Sequence, residues 1–144
     1  MRKTLHVLLL LVLSAKAASS QTADLGKDIY ARNAQSVVLL YAQSPSGEFT
    51  AQGSGFVVGG GKIVTNAHVA NSGKIFLELG PARVPTRIDK IDNVNDLAIL
   101  STDVEITATP LKFAKIAPSA GETIFAIGNP EGLEKTISQG LVAA

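Results

Sequence analysis

Cysteine and tryptophan are absent from this chain of 144 residues, and aromatic side chains make up only 5% of it. Without cysteine the chain has no disulfide bonds, so an exported protein of this sequence relies on its hydrophobic core for stability. The lack of cysteine and the presence of only two histidines also argue against a zinc site. Hydrophobic residues still make up 46% of the sequence, so we expect a mainly aliphatic core.

The N-terminus has the pattern of an export signal. Arg2 and Lys3 precede an unbroken apolar run at 7–13, and Ala-Lys-Ala at 15–17 supplies the small residues of a cleavage site. The alternative is a signal anchor, but the apolar run is too short to span a bilayer. No cysteine follows the run, which excludes lipid attachment at an N-terminal cysteine. We therefore predict that the protein is exported, periplasmic or secreted, and not held in a membrane after cleavage.

A surplus of positive charge is also lacking once this signal is removed. Cleavage after residue 17 removes three of the 13 basic residues and none of the 12 acidic ones, which leaves a formal net charge of −2. The remaining basic residues form no stripe, so the sequence predicts no nucleic-acid binding. Residues 18–144 are enough for one domain.

Short β-strands separated by turn residues dominate the rest of the chain. One helix is predicted at 24–33, where Asp24 can cap it and Leu25 and Ile29 share one side. Strands are predicted at 36–42, 50–58, 62–69, 75–79, 84–91 and 97–101, and after a Pro/Ala-rich connector at 123–127 and 136–142. Many short strands at near-regular spacing favour a barrel or a sandwich.

The predicted fold class is therefore all-β. Six strands precede the connector and can close one antiparallel β-barrel, whereas the two strands after it cannot close another. We assign 1–17 to the signal peptide, 18–35 to an N-terminal extension with a short helix, 36–107 to the first β-barrel, and 108–144 to the connector and the first strands of a second β-barrel.

The candidate chemistry begins at His68, the one histidine left after signal cleavage. It lies in the sequence Thr-Asn-Ala-His-Val at 65–69, and its small neighbours leave room for the imidazole to face a cleft. Downstream, Asp96 lies at the start of the apolar run 97–100. An imidazole exchanges a proton near neutral pH, and a carboxylate beside it fixes its tautomer and stabilises its charged form. The two residues are therefore a candidate acid–base pair.

Other interpretations of these residues stay open. A lone histidine is more often a core or surface residue than a catalyst, and Asp96 could be a turn residue that opens a strand. Asp89 and Asp92 are alternative partners for His68. Both lie among polar neighbours with no apolar run behind them, so we rank them below Asp96.

Four segments together resemble the trypsin-like serine peptidases, and most closely the bacterial HtrA/Deg type. In chain order they are Gly-Ser-Gly-Phe-Val-Val at 53–58, Thr-Asn-Ala-His-Val at 65–69, Asn-Asp-Leu-Ala-Ile-Leu at 95–100 and Gly-Asn-Pro-Glu-Gly-Leu at 128–133. The resemblance covers roughly 36–143. It implies two perpendicular six-stranded barrels with the active site between them. It also implies that the first barrel provides the general base, His68, and its orienting carboxylate, Asp96.

The nucleophile is where this sequence departs from that family. The family's serine lies in a glycine-rich loop of the type Gly-Asn-Ser-Gly-Gly, and nothing up to Ala144 matches it. Ser54 and Ser138 lie in predicted strands, and a strand serine lacks the exposed turn that a nucleophile needs. The resemblance implies that the oxyanion donors and the substrate pocket are missing too. We therefore expect this chain, taken alone, to be inactive.

The resemblance thus implies a serine-type endopeptidase that acts on polypeptide substrates, of which this chain carries His68 and Asp96 but not the serine. It implies no metal and no organic cofactor. Two non-enzymatic alternatives remain: an inactive pseudo-peptidase or peptide-binding β-barrel module, and a barrel that serves as a scaffold for a partner. Oligomerisation and the presence of a C-terminal domain such as a PDZ domain are not readable from the sequence.

Overall fold

A computed structural model of the chain describes residues 24–129 and 135–143, and these are mainly β-structure. The predicted signal peptide at 1–17 and residues 130–133 of the segment Gly-Asn-Pro-Glu-Gly-Leu lie outside the described residues. Helix α1 spans 24–33, as predicted, and a 3-10 turn at Ala34–Ser36 follows it. The other elements are β1 (Val37–Gln43), β2 (Phe49–Val58), β3 (Lys62–Thr65), α2 (Ala67–Ala70), β4 (Lys74–Leu79), β5 (Ala82–Pro85), β6 (Arg87–Asp92), β7 (Leu97–Ser101), β8 (Thr123–Gly128) and β9 (Thr136–Leu141).

Strands β1 to β7 form one antiparallel sheet that closes on itself. The strand order is β5-β4-β1-β2-β3-β7-β6, and the two edge strands are separated in sequence only by Thr86. The backbone N–H and the hydroxyl of Thr86 both donate to the carbonyl of Ile75 at 2.9 Å. At this residue the chain turns from pairing with β4 to pairing with β7. The predicted strand 84–91 is therefore two strands, and the bent segment 82–92 completes the predicted six-stranded barrel.

A second correction concerns the predicted strand at 62–69, which ends at Thr65. The chain leaves the sheet there and forms the single turn of α2. The N–H of Ala70 donates to the carbonyl of Asn66 at 3.1 Å, and the N–H of Asn71 donates to the carbonyl of Ala67 at 2.9 Å. His68 therefore lies on a short helix at the end of the barrel and not on a strand.

The barrel interior is aliphatic, as the composition predicted. Alternate residues of β3 and β4 face inward, and Ile63 of β3 and Leu100 of β7 are fully buried. The buried core cluster of the described residues is Val38, Leu40, Ala42, Val57, Ile63, Val69, Ala70, Ile75, Leu77, Ala98 and Leu100.

Aromatic rings pack on the outer face of the sheet. The ring of Phe49 meets the rings of Tyr41 and Phe76 edge-on, with centroids 5.6 and 5.7 Å apart. The guanidinium of Arg83 lies 3.8 Å from the centroid of Tyr41. Such contacts join β1, β2, β4 and β5 on the side of the sheet that faces away from the core.

Strands β8 and β9 form a separate two-stranded antiparallel sheet, which agrees with the predicted beginning of a second barrel. The connector before them has no helix or strand, and the N–H of Leu111 ties it to the carbonyl of Val57 at 2.8 Å. Helix α1 packs on this hairpin, since a methyl group added at Gly26 would lie 3.1 Å from the ring of Phe125. Within the described ranges, no helix has the length and apolar character needed to cross a bilayer.

A substitution at Gly55 would test how tightly the interior of the barrel is packed. A Cβ added there would lie 2.7 Å from Cγ2 of Ile63 and 3.1 Å from Cδ1 of Leu40. We expect Gly55→Ala to lower the free energy of unfolding by about 1–3 kcal/mol, because overpacking displaces core side chains. Gly59→Ala is the matched control, since a Cβ at that residue meets no atom within 4 Å. Urea denaturation of both variants measures the difference, and equal stabilities would contradict this view of the core.

Candidate active site

The structure brings His68 and Asp96 together at one corner of the barrel. Nδ1 of His68 lies 2.8 Å from Oδ2 of Asp96. His68 is on α2, just after β3, and Asp96 is in the turn just before β7. Because β3 pairs with β7, with Thr65 opposite Ala98, the strand register places the two residues side by side although they are 28 positions apart.

The carboxylate of Asp96 accepts hydrogen bonds from three donors. The backbone N–H of His68 donates to Oδ1 at 2.9 Å, Nδ1 of His68 lies against Oδ2, and Nδ2 of Asn66 donates to Oδ2 at 3.1 Å. The backbone bond from His68 lowers the pKa of Asp96 most, followed by the imidazole bond, and Asn66 adds a smaller effect. Asp96 is therefore ionised at neutral pH.

This ionisation fixes the tautomer of the neutral imidazole. An ionised carboxylate only accepts hydrogen bonds, so Nδ1 of His68 must carry the proton that lies between the two groups. The lone pair is then on Nε2, which makes no hydrogen bond to any residue within 24–129 or 135–143. The side chain of His68 is 71% exposed. An imidazole held in this way can accept a proton at Nε2 from a group that enters from the solvent side.

Asp96 also anchors the helix that carries His68. The first N–H groups of a helix have no partner within it, and a negative charge near them is favourable. The N–H of His68 is one of these groups, and Oδ1 of Asp96 satisfies it. On the other side of α2, Ala67, Val69 and Ala70 are buried in the barrel. One face of the helix is thus held by packing, and the residue left exposed is His68.

The alternative partner Asp92 shapes the turn that presents Asp96. Its Oδ1 accepts the N–H groups of Val94 and Asn95 at 3.0 and 3.1 Å, and its Oδ2 accepts from Nδ2 of Asn95 at 2.7 Å. The side-chain bond from Asn95 is the main cause of the lowered pKa of Asp92. The turn ends with Asp96 at φ 53°, in the left-handed region that aspartate tolerates better than most residues.

The other alternative partner, Asp89, points away from the site. Its carboxylate is bonded to Nζ of Lys62 at 2.6 Å and to the hydroxyl of Ser101 at 2.7 Å. The bond from Lys62 is the largest cause of its lowered pKa, followed by the bond from Ser101. Neither Asp89 nor Asp92 makes a hydrogen bond to His68.

Asn66 is a site residue that the sequence patterns do not identify. Its Nδ2 donates to both the carbonyl oxygen and Oδ2 of Asp96, each at 3.1 Å. Asparagine is a common first residue of helices because its side chain can cap them. Here the side chain makes no cap bond to α2 and holds Asp96 instead. The feature of the sequence that could have identified Asn66 is its position two residues before the candidate base, His68.

The two serines considered from the sequence are not placed as nucleophiles. The hydroxyl of Ser54 accepts the N–H of Asn129 at 2.7 Å, and Ser138 is exposed on β9. No serine within the described ranges makes a hydrogen bond to His68.

The titration of Asp96 tests the geometry of the site. We expect its pKa, followed by carboxyl ¹³C NMR, to lie below the ordinary value of about 3.9. Since folding lowers this pKa, the stabilisation is present above the unfolded-state pKa and is lost as the pH falls through the folded-state pKa. His68→Ala should raise the pKa only in part, because the backbone N–H at residue 68 remains.

Asp92 is the internal control in the same spectra. Its pKa is lowered by Asn95, so His68→Ala should leave it unchanged. An Asp96 pKa at or above the ordinary value, or an Asp92 pKa that moves with His68→Ala, would contradict the hydrogen bonds described.

Comparison with known proteins gives the family. Residues 53–144 match the family model of the trypsin-like peptidase domain. The chain is 37% identical over 112 residues to the anti-sigma-I factor RsgI9 of Acetivibrio thermocellus, which covers 75% of this chain and 16% of that protein. It is 38% identical over 97 residues to the serine protease HTRA1A of Danio rerio, which covers 65% of this chain and 20% of that protein. It is 34% identical over 98 residues to a probable periplasmic DegP-like serine endoprotease of Rhizobium meliloti, which covers 65% of this chain and 19% of that protein.

A solved structure has the same fold. The serine endoprotease from Yersinia pestis matches with a TM-score of 0.69 and 29% identity, over 82% of this chain and 44% of that one. The chain spans a fifth or less of the length of the curated relatives named above. The family match over most of the chain, the HtrA and DegP-like relatives and the shared fold show that this chain belongs to the trypsin-like peptidases, of the HtrA type.

Proposed function

We propose that this chain carries the base-bearing part of a serine endopeptidase site, with His68 as the general base and Asp96 as its orienting carboxylate. The observation that carries the proposal is the 2.8 Å contact between Nδ1 of His68 and Oδ2 of Asp96, with Nε2 on the exposed side. The depressed pKa of Asp96 supports it, because the carboxylate then stays charged while the imidazole gains and loses a proton.

In this mechanism Nε2 of His68 takes the proton of a serine hydroxyl while the serine oxygen attacks the carbonyl carbon of a peptide bond. The tetrahedral intermediate then collapses, the carbon–nitrogen bond breaks, and the imidazolium gives its proton to the leaving amine. In the second half of the reaction His68 removes a proton from water while the water oxygen attacks the carbonyl carbon of the acyl-enzyme. The ester carbon–oxygen bond then breaks, the imidazolium returns the proton to the serine oxygen, and the carboxylic acid product is released. Asp96 remains ionised and stabilises the imidazolium at each step.

The serine and the oxyanion donors would come from the second barrel, of which β8 and β9 are the first strands in this proposal. The chain then divides into an N-terminal extension at 18–35, the first barrel at 36–107 and a connector with the start of the second barrel at 108–144. The bond between Ser54 and Asn129 supports a structural role for Ser54, since its hydroxyl oxygen is already used as an acceptor.

The substrates in this proposal are polypeptides, and the reaction needs no metal or organic cofactor. The signal-peptide pattern at 1–17 supports export, and the name of the Rhizobium meliloti relative as a periplasmic endoprotease is consistent with it. We propose a periplasmic or secreted location for the processed protein.

A non-enzymatic function is the second candidate, and one relative favours it. The anti-sigma-I factor RsgI9 matches a larger share of this chain than the two proteases compared with it. In this alternative the barrel is a pseudo-peptidase or a peptide-binding module, and the pair at the barrel corner does no chemistry. The codons after Ala144 discriminate: a serine in a Gly-Asn-Ser-Gly-Gly context supports the enzyme, whereas a stop codon or a replaced serine supports the non-enzymatic alternative.

The first functional prediction concerns the product of the complete coding sequence. We expect it to hydrolyse casein, with kcat lowered about 10⁶-fold by His68→Ala and about 10⁴-fold by Asp96→Asn, which leaves the wrong imidazole tautomer. Asp89→Asn is the matched control and should leave kcat close to wild type, since Asp89 makes no contact with His68. Activity that survives His68→Ala would rule out His68 as the base.

The second functional prediction concerns the 144-residue chain. It should cleave casein no faster than a blank, because its serines within the described ranges make no contact with His68. The measurement is fluorescent-casein hydrolysis together with labelling by a fluorophosphonate probe. Cleavage or labelling that His68→Ala abolishes would instead show that a serine of this chain is the nucleophile.

A further inference from the structure

Asn129 is a buried polar residue that the proposed mechanism does not use. It directly follows β8 and is only 6% exposed. Its backbone N–H donates to the hydroxyl oxygen of Ser54 at 2.7 Å, and its Nδ2 donates to the carbonyl of Val38 at 3.2 Å. Its Oδ1 accepts the N–H of Lys135, just before β9, at 2.9 Å. One residue thus bonds to β1, to β2 and to the far side of its own hairpin.

These bonds are the direct polar links between the β8–β9 hairpin and the barrel among the described residues. A cleft of about 740 Å³ also lies between them, lined by Phe56 and Leu97 of the barrel, Phe125 and Ile127 of the hairpin, and Ile29 of α1. At the link itself the approach is close, since a Cβ added at Gly128 would lie 3.3 Å from the hydroxyl oxygen of Ser54. Asn129 and Ser54 therefore hold the end of β8 directly against the barrel, while α1 packs on the hairpin at Gly26 and Phe125.

The barrel end of this contact leads to the candidate active site. The carbonyl of Ser54 accepts the hydroxyl of Thr65 at 2.7 Å, and Thr65 is itself buried. The next residue, Asn66, holds Asp96, and Asp96 holds His68. The same short stretch of β2 and β3 therefore fixes both the hairpin and the corner that presents the imidazole.

We propose that Asn129 and Ser54 form a clamp that sets the position of the second barrel relative to His68. The proposal rests on the proposed function, in which the second barrel carries the serine. A misplacement of about 1 Å between reacting groups can cost about 10²-fold in rate, so a rigid link between the barrels has a direct effect on turnover. In this proposal Asn129 is a positioning residue that touches no reacting atom.

The first test uses amide hydrogen exchange on the 144-residue chain and needs no activity. Ser54→Ala removes the acceptor of the Asn129 N–H while leaving the carbonyl that accepts from Thr65. We expect the Asn129 amide to exchange about tenfold faster, because it loses its hydrogen bond, while the amides of Leu40 and Leu100 in the barrel core stay protected as in wild type. Ser138→Ala, a serine-to-alanine change on the exposed face of the same hairpin, should change neither.

The second test uses the product of the complete coding sequence, with rates expressed per active site titrated by a fluorophosphonate probe. Asn129→Ala removes the bonds to Val38 and Lys135, and we expect it to lower kcat by about tenfold or more with little change in KM. The pH profile of kcat should keep its wild-type shape, since the contact between His68 and Asp96 is intact. Loss of folding would instead lower the number of titrated sites without changing kcat per site.

The outcomes separate the clamp from the proposed function. Unchanged exchange at Asn129 in Ser54→Ala overturns the clamp, whether or not the protein is a peptidase. Faster exchange in Ser54→Ala together with an unchanged kcat per site in Asn129→Ala overturns the positioning role. A wild-type product without peptidase activity overturns the proposed function, and with it the positioning role, while the exchange data still decide whether the clamp exists.

Discussion

The site depends on one carboxylate. Asp96 accepts the backbone N–H of His68 at one oxygen and Nδ1 of the same residue at the other, so it fixes the helix and the ring it carries together. The two side chains are 71% and 45% exposed, and an exposed ion pair contributes little to stability. The contact therefore acts mainly by orienting the ring of His68. It determines that one ring nitrogen carries the proton and that the other is left free to accept a proton.

The parts of the structure that follow from local patterns could be predicted from the sequence. Alternating apolar residues and glycine turns gave the β-strands, and the six strands before the connector gave the first barrel, because a half-buried strand has a period that the sequence displays. The pairing of His68 with Asp96 was predicted from the two segments that carry them, which resemble those of the trypsin-like peptidases. The corner itself combines small residues around the histidine with an aspartate that opens the apolar strand 97–100.

The features that were missed are set by contacts between distant residues. The stretch 65–69 has the pattern of a strand end, but residues 67–70 form α2, in which the N–H of His68 donates to Asp96. The stretch 84–91 has the pattern of one strand, but it bends at Thr86, whose N–H and hydroxyl both donate hydrogen bonds to the carbonyl of Ile75. Asn129 lies in the segment Gly-Asn-Pro-Glu-Gly-Leu at 128–133, and its buried hydrogen bonds to Ser54 and Val38 form only when the hairpin lies on the barrel.

The tautomer of His68, read by long-range ¹H–¹⁵N NMR at a pH where the ring is neutral, shows whether Asp96 prepares the ring to act as a base. We expect a protonated Nδ1, an unprotonated Nε2 and a downfield Nδ1 proton that disappears in Asp96→Asn. A wild-type ring with the proton on Nε2, or one that Asp96→Asn leaves unchanged, would contradict the claim that Asp96 prepares His68 to act as a base.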